Sequence, residues 1–443
     1  MHRWSTAARL PAAAFALWLG AAALAGETRP LTILHTNDLH ARLLPLEDGR
    51  GGFAALAALI RQEREGCRWC VLVNAGDLVQ GSPVSTIYRG MPIYKIANLF
   101  GYDAATVGNH DFDYGWERLR EFEKAAKYPL VASNIVDEGG RLLLRNAWTV
   151  KKVNGIRLAV LGAVTNDLPS LTTPRLVGPW RTAPLVETVR RYAAAARRES
   201  DIVVLLAHVT EQEETALLAS AIEIPVIVTG HAHRGIPAAM ERDGRVLVRA
   251  RAYAEELGRL DLQVDVGNKS VASWKWRQIP VRAAAKPARD VARAVAHWER
   301  EVARVVDVPV AESRRAFTKA EVKALIERAM RERAGADFAF MNMGGVRDVV
   351  PRGRVLARHI WNIIPFDNKV VIGAIKGSRL PETVTAGKTI DPGREYRLAT
   401  SDFSAANQSS PTELRSTGLE FPEQGPLLRD LLLEWVKEQK TLD

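Results

Sequence analysis

Short apolar segments that end abruptly in polar side chains recur along the first half of the chain. Continuous apolar segments of this length are typical of strands that are buried on both faces of a sheet. The five segments are LTIL (31–34), CVLV (70–73), AATV (104–107), DIVVLLA (201–207) and IPVIVTG (224–230). Between them lie helical patterns, among them GGFAALAALIRQERE (51–65) and PLVETVRRYAAAARRE (184–199). This alternation predicts a layered α/β domain.

Polar side chains follow each of the five predicted strands at the point where the apolar segment ends. In α/β sheets, ligands bind just beyond the carboxyl ends of the strands. A single histidine there is usually structural, but five of the nine histidines of the chain lie at these ends. This concentration predicts a metal centre. The candidate ligands are Asp38, His40, Asp77, Asn109, His110, His208, His231 and His233.

The residue types in this set indicate which metals and which reaction to expect. A mixture of oxygen and imidazole ligands suits Zn²⁺, Mn²⁺ or Fe better than Ca²⁺, which prefers oxygen ligands alone. Asp77 stands alone on its strand end and is the expected bridge, because a carboxylate has one oxygen for each of two ions. Two divalent ions about 3.5–4 Å apart can activate water and stabilise an in-line displacement. The pattern therefore predicts hydrolysis of a phosphoester.

The stretch GNHDFDYG (108–115) has two interpretations when it is taken alone. Asparagine, aspartate and glycine suit tight turns and helix starts for purely local reasons. The same residues would belong to a reaction site if the other strand ends bring matching groups to the same place. The stretch by itself does not decide between a polar turn and an active site.

The motifs NDLHAR, GDLVQGSP, GNHDFDYG, AHV and GHAH, in this order, closely resemble those of the calcineurin-like metallophosphoesterases. Within that group they resemble the exported 5'-nucleotidase family. NMGGVR (342–347) and PFDN (365–368) resemble the C-terminal domain of the same family. The resemblance implies an N-terminal layered αββα metallophosphoesterase sandwich with a smaller C-terminal α/β substrate-binding domain.

The resemblance also implies two divalent metal ions, zinc, manganese or similar, and a set of ligands for each. One ion would be held by Asp38, His40, Asp77 and His233, and the other by Asp77, Asn109, His208 and His231. His110 and Asp113 are then the catalytic pair. A metal-bound hydroxide would attack phosphorus while His110 stabilises the developing charge or helps to protonate the leaving oxygen, and Asp113 orients the imidazole. Asp111 receives no role beyond that of a turn or capping residue.

The C-terminal domain of the family binds the organic part of the substrate between two aromatic rings. The implied substrate-binding residues are Asn342, Gly344, Arg347, Phe366 and Phe403. On composition alone, either phenylalanine could instead belong to the core. The chain departs from the family after the second aromatic residue, where it reads SAANQSS (404–410) in place of Gly-Gly-Asp-Gly. A further family arginine upstream of Asn342 has only Arg314 or Arg315 as a counterpart.

The implied function is an exported 5'-nucleotidase that releases phosphate from nucleoside 5'-monophosphates. The altered substrate pocket leaves an alternative, a broader phosphomonoesterase or a 2',3'-cyclic-nucleotide phosphodiesterase. A third possibility, a non-catalytic binding protein with the same fold, is disfavoured because none of the seven implied ligands is missing. In each case the partner is a small anionic phosphoester, with a nucleotide expected first.

The length of 443 residues predicts two domains. We expect a signal peptide at 1–25, a catalytic domain at 26–285, a connecting helix at 286–306 and the C-terminal domain at 307–443. The connecting helix rests on Val291, Val295, Trp298, Val302 and Val305, which recur at helical intervals. A core helix of either neighbouring domain would show the same pattern.

The first 25 residues resemble a cleaved secretory signal. Arg3 and Arg9 precede an apolar segment that is short for a membrane span and ends in Ala23 and Ala25, with cleavage expected before Gly26. The mature protein is then expected to be periplasmic or secreted, with no stable membrane anchor. In an oxidising compartment, Cys67 and Cys70 could form a local disulfide or remain small apolar residues.

The net charge is basic but carries no sign of nucleic-acid binding. The formal charge of +10 falls to +8 with the loss of Arg3 and Arg9. Lysine and arginine are scattered among 51 acidic residues and form no basic run. The charge is therefore interpreted as a mild field that favours a small anionic substrate.

Overall fold

The structure is a computed structural model that describes residues 27–220, 222–283, 286–385, 387–407, 414 and 418–443. The predicted signal peptide lies outside the described residues. The N-terminal half contains two β-sheets packed face to face, and a smaller α/β unit follows it. No helix in the described ranges is long and apolar enough to cross a membrane.

The first sheet contains the first three predicted strands as neighbours. In spatial order its strands are Ser270–Pro280, Glu256–Asp265, Thr28–Thr36, Cys70–Ala75 and Ala104–Thr106. The last three are parallel to one another, so their carboxyl ends meet at one edge of the sheet.

The second sheet contains the other two predicted strands. In spatial order its strands are Met240–Arg242, Arg245–Val248, Val226–Gly230, Ile202–His208, Ile156–Val164 and Trp148–Val153. Val226–Gly230 and Ile202–His208 are parallel neighbours, and the sheet faces the first so that both sets of carboxyl ends lie at the same edge of the sandwich. A small antiparallel pair, Ile135–Val136 and Arg181–Thr182, lies beside them.

Alternate residues of each strand pack on opposite faces, which produces the layers. Ile33 lies in the core between the two sheets, whereas Leu34 points to the helices outside the first sheet. The helices of that outer layer are Phe53–Glu65, Pro83–Ile87, Met91–Ala97 and Trp116–Ala125, and those outside the second sheet are Leu185–Glu199 and Glu211–Ala219. The predicted αββα sandwich is confirmed.

Helix Arg289–Val306 lies at the position predicted for the connecting helix. Val291, Val295 and Val302 are buried in the same core as the outer helices of the first sheet. Its C-terminal end meets the second domain through Arg358, which donates to Glu299 at 2.7 Å and to Asp307 at 2.6 Å. The helix is therefore part of the N-terminal core and also contacts the C-terminal unit.

In the described residues, the C-terminal unit has two small sheets and three main helices. The sheets are Phe338–Ala339, Glu395–Ser401, Lys369–Lys376 and Glu423–Leu427, then Gly353–Leu356, Pro309–Ser313 and Thr441–Leu442. The helices are Lys319–Ala334, Ala357–Ile363 and Leu428–Gln439. The first begins at a capping box in which Thr318 and Glu321 exchange hydrogen bonds, and it ends at Gly335 in the left-handed conformation.

Short helical turns complete the chain and carry several residues of the site. They are Leu168–Leu171, Pro174–Val177, Glu382–Thr385, Asp402–Ala406, and the 3-10 turns His110–Phe112, Met343–Gly345 and Gly377–Arg379. Cys67 and Cys70 are joined by a disulfide at the start of strand Cys70–Ala75.

Candidate active site

The seven predicted ligands converge at the shared edge of the two sheets. Two groups have potential ligand atoms within 4.8 Å of one another: Asp38, His40, Asp77 and His233, and Asp77, His208 and His231. Asn109 joins the second group, because its Oδ1 lies 3.2 Å from Nε2 of His208 and 3.0 Å from Nδ1 of His231. The structure thus brings together the two sets that the resemblance implies, with Asp77 in both.

The backbone adopts an unusual conformation where these strands end. A positive φ is uncommon for residues other than glycine and is concentrated at functional sites, where the surrounding structure maintains the strain. Five of the seven predicted ligands have φ between 45° and 83°: Asp38, His40, Asp77, His231 and His233. The chain therefore turns sharply after three of the five strands, Thr28–Thr36, Cys70–Ala75 and Val226–Gly230, and directs these side chains to one point.

Glycines make this convergence possible. A Cβ atom on Gly108 would lie 2.1 Å from Oδ1 of Asp77, and one on Gly76 would lie 2.6 Å from Nδ1 of His208. Either contact is too short for any side chain. The glycines of GDLVQGSP and GNHDFDYG are thus needed for the close approach of the ligand groups, in addition to their value in turns.

Several potential ligand atoms of the cluster face one another at short distances. Oδ2 of Asp77 is buried, lies 3.1 Å from Nε2 of His208, and has no hydrogen-bond partner among the described residues. Nδ1 of His208 lies 2.9 Å from the carbonyl of Ala75, which leaves Nε2 directed at Asp77. Nε2 of His40 and Nε2 of His233 lie 2.9 Å apart, within hydrogen-bonding distance, while the buried Nδ1 of His40 has no hydrogen-bond partner among the described residues. Divalent cations between these atoms would satisfy them all, so the residues fit two metal ions.

The pKa values of the cluster agree with this interpretation. Burial raises the pKa of Asp38 to about 6 and lowers the pKa of His231 to about 3. Burial lowers the pKa of His208, but the charges of Asp77 and Asp38, together with polar contacts to Asp77 and the carbonyl of Ala75, outweigh burial and raise this pKa to about 9. A proton then competes with a cation for the space between His208 and Asp77, as expected when metal binding displaces protons.

Asp111, which received no role from the sequence, supports two ligand loops. Its Oδ2 accepts hydrogen bonds from the backbone N–H of Asp77 at 3.1 Å and of Gly108 at 2.8 Å. Its Oδ1 accepts from the hydroxyl of Tyr94 at 3.1 Å. The turn interpretation is thus correct but incomplete, because the carboxylate joins two separate loops at the base of the site.

His110 and Asp113 form the pair that the resemblance implies. Nδ1 of His110 lies 2.8 Å from Oδ2 of Asp113, and the backbone N–H of His110 donates to Oδ1 of Asp77 at 2.9 Å. Burial lowers the pKa of His110, but the charges of Asp113 and Asp77 outweigh burial and raise it above its ordinary value. The imidazole is therefore held beside the cluster in an orientation that favours its protonated form.

A cavity of about 210 Å³ lies between this cluster and the C-terminal domain. All five predicted substrate-binding residues line it: Asn342, Gly344, Arg347, Phe366 and Phe403. The ring of Phe366 lies 5.8 Å from that of His110, and the guanidinium of Arg347 lies 5.9 Å from the ring of Phe366. Neither phenylalanine is thus a plain core residue, because each contributes to the wall of the same cavity.

Other lining residues were not anticipated. They include Gln80, Tyr114, Asp367, Asn368 and the segment 171–176. Gln80 lies in the quoted motif GDLVQGSP and could have been noticed there. The segment 171–176 spans the junction of two short helical turns, and its sequence carries no comparable signal.

At the two places where the sequence departs from the family, the structure shows the contacts of the residues that are present. Arg314 pairs with Asp443 at 3.1 Å and Arg315 pairs with Glu321 at 2.7 Å, and neither arginine is among the residues that line the cavity. In SAANQSS, Ser404 donates to Oδ1 of Asn342 at 3.2 Å, while 408–410 lie outside the described residues.

Comparison with known families matches both parts of the chain. Residues 31–235 match the family model described as calcineurin-like phosphoesterase. Residues 301–386 match the model described as the C-terminal domain of 5'-nucleotidase. The first range contains all seven predicted ligands and the second contains Asn342, Arg347 and Phe366.

Individual relatives cover most of the chain. Protein UshA of Yersinia enterocolitica is 25% identical over 514 residues, which cover 94% of this chain and 92% of the relative. A 5'-nucleotidase of Vibrio parahaemolyticus is 27% identical over 85% of this chain and 78% of its own. The crystal structure of a 5'-nucleotidase precursor from Thermus thermophilus superimposes with a TM-score of 0.84 at 20% identity, covering 94% of this chain and 97% of that one. The two-domain fold is therefore shared over nearly the whole chain.

Proposed function

Since this chain belongs to the calcineurin-like phosphoesterases that carry a 5'-nucleotidase C-terminal domain, we propose that it releases phosphate from nucleoside 5'-monophosphates. One observation carries the proposal. Four ligand residues, drawn from both groups, line a cavity whose other wall holds Arg347 and two phenylalanines; they are Asp77, Asn109, His231 and His233. The relatives named 5'-nucleotidase support the same substrate class.

We assign the two ligand groups to two divalent ions, zinc, manganese or iron. Asp38, His40 and His233 would hold one, Asn109, His208 and His231 the other, and Asp77 both. When bound, such ions activate water and neutralise phosphoryl oxygens. The buried carboxylates and neutral imidazoles of this chain provide the charge and the lone pairs that retain the ions.

His110 is assigned to the phosphoryl group, with Asp113 as its positioning partner. An imidazolium beside the phosphoryl oxygens stabilises the charge that develops on them, or donates its proton to the leaving oxygen. The 2.8 Å contact with Asp113 fixes the ring through Nδ1 and leaves Nε2 for this task. The pair thus contributes orientation and charge, which supply most of the acceleration in phosphoryl transfer.

The C-terminal wall is assigned to the organic part of the substrate. Phe366 and Phe403 offer ring faces for stacking on a base, and Asn342 and Gly344 line the same wall. Nη2 of Arg347 lies 3.5 Å from Nε2 of His40, so this guanidinium is placed for the phosphate end of the substrate. We accordingly divide the chain into a catalytic domain at 26–285, a connecting helix at 286–306 and a substrate-binding domain at 307–443.

A substrate panel tests this proposal. We expect kcat/KM to be higher for nucleoside 5'-monophosphates than for 2',3'-cyclic nucleotides and sugar phosphates. Phe366→Ala should raise KM for nucleotides about tenfold, because stacking contributes about 1–3 kcal/mol per base, while sugar phosphates should be unaffected. Equal rates on every substrate would instead support the broader phosphomonoesterase.

We also propose that the protein is exported to the periplasm or the medium. The first 25 residues support this, as does the disulfide between Cys67 and Cys70, since disulfides persist in oxidising compartments. Mass spectrometry of the mature protein should find its first residue at Gly26 and the two thiols oxidised. A protein retained in the cytoplasm with its first 25 residues intact would contradict the proposal.

Tyr253 is expected to strengthen binding of the ion that is assigned to Asp38, His40 and His233. Its hydroxyl lies 3.1 Å from Nδ1 of His233, and burial raises its pKa, so the phenol remains protonated. Partners of this kind orient a ligating imidazole, and their loss usually costs about 10–100-fold in metal affinity. We expect Tyr253→Phe to weaken binding of one ion about tenfold in a chelator competition. Tyr102→Phe, which loses a 2.6 Å hydrogen bond to Thr36, should leave both affinities unchanged.

A further inference from the structure

Gln80 is a buried residue of the cavity wall that the proposed mechanism does not use. It follows Asp77 by three positions in GDLVQGSP and is 1% exposed. It lines the same cavity as Asp77, Asn109 and His110. Gln80 therefore lies on the same side of the cavity as the predicted ligands, although it is not a member of either ligand group.

The amide of Gln80 is unusual because both of its ends lack a partner. Neither Oε1 nor Nε2 has a hydrogen bond to any described residue. Buried amides elsewhere in the same domain are satisfied: Asn134 exchanges hydrogen bonds of 2.6 and 2.9 Å with the backbone of Val164. Since buried polar groups are nearly always hydrogen-bonded, the amide of Gln80 needs partners that enter the cavity.

The backbone holds Gln80 at this place. Its N–H donates to Oγ of Ser85 at 3.0 Å, and its φ is 72°. The next residue, Gly81, packs so closely that a Cβ atom there would lie 2.5 Å from the carbonyl oxygen of His40. The turn is therefore fixed between the His40 loop and Ser85, which keeps Gln80 beside the cavity.

We propose that Gln80 contacts the substrate, with Nε2 donating a hydrogen bond to an oxygen of the phosphoryl group. Phosphoryl oxygens are strong acceptors, and a neutral amide adds a donor without adding to the charges of His110 and Arg347. Oε1 is then available to a hydroxyl group or water beside the ester. This inference rests on the proposed phosphohydrolase function and adds a residue that binds the phosphoryl group.

Gln80→Met tests the contact, because methionine has nearly the same length and neither polar end. We expect the inhibition constant of inorganic phosphate to rise about 10–100-fold, because the loss of one hydrogen bond to a charged group weakens binding by about that factor. Metal content should stay unchanged, and Tm should equal or exceed that of the wild type, because the unsatisfied amide is removed. Gln278→Met is the matched control. It loses a 3.1 Å hydrogen bond to the carbonyl of Arg249, so Tm should fall while phosphate inhibition is unaffected.

The outcomes separate this inference from the function on which it rests. A Gln80→Met enzyme with wild-type phosphate inhibition and kcat/KM overturns the role of Gln80, whatever its Tm. Wild-type protein that releases no phosphate overturns the proposed function instead. If Gln80→Met does not fold, Gln80→Glu decides, since its negative charge should weaken phosphate binding at least as much; unchanged binding in that variant also overturns the inference.

Discussion

Replacing Asp77 with asparagine is expected to lower kcat/KM more than about 10³-fold and to leave the protein unable to retain two metal ions. Asp77 belongs to both ligand groups, and the amide of asparagine has one oxygen where the carboxylate has two. Removing a single preorganised donor already costs about 10²–10³ in kcat in other hydrolases. The loss of a charge shared by both ions should cost more. Metal content and phosphate release measure the two effects.

Thermal unfolding gives an independent measurement of the same change. Metal ions that bind only the folded state raise Tm by mass action. Chelation should therefore lower the Tm of the wild type but have little effect on Asp77→Asn. Asp201→Asn is the control, because Asp201 pairs with Arg157 at 2.6 Å at the opposite end of the strand that leads to His208. It should lose stability and keep both ions. Two ions in Asp77→Asn would contradict the bridging assignment.

The positions of the ligands could be predicted because they depend on local patterns. Apolar segments that end in histidine, aspartate or asparagine mark buried strands and their carboxyl ends, and every such segment is a strand in the structure. The glycines beside Asp77 and Asn109 are part of the same short motifs. Each of these patterns is contained within about ten consecutive residues, so strand ends and ligands can be identified before the three-dimensional structure is known.

The arrangement of the strands could not be obtained in the same way. Cys70–Ala75 pairs with Thr28–Thr36, whereas Ile202–His208 lies in the facing sheet beside Ile156–Val164. All four are apolar and buried on both faces, so composition does not distinguish the two sheets. The pairing depends on long-range packing. A single sheet would have carried the same signal at its strand ends.

The roles of residues that act through contacts between distant positions could not be predicted from the sequence either. Tyr253 reaches His233 from a turn twenty positions later, and Asp111 binds the loop of Asp77 across thirty-four positions. Neither contact has a local signature: aspartate is common in turns for other reasons, and nothing next to Tyr253 in the sequence indicates a partner twenty positions earlier. Arg175, in the segment 171–176, also has no local signature. It lines the cavity because the fold brings this segment beside it.

His110→Ala is expected to retain both metal ions and to lose about 10²–10⁴-fold in kcat, the usual contribution of a positioned acid or base. Both ions should remain because His110 belongs to neither ligand group, and its contact with Asp77 is made by the backbone N–H, which alanine keeps. Asp113→Asn should cause a smaller loss, since the imidazole remains while the charge that favours its protonated form is gone. His297→Ala, on the exposed face of helix Arg289–Val306, should be neutral.

These variants separate catalysis from metal retention, which is the central distinction within the GNHDFDYG stretch. Asn109 and His110 are adjacent, but the side chain of Asn109 faces His208 and His231, whereas that of His110 faces Asp113 and Phe366. Asn109→Ala should therefore lose metal affinity, and His110→Ala should lose only turnover. Near-normal phosphate release by His110→Ala at full metal content would show that the imidazole does not act on the phosphoryl group.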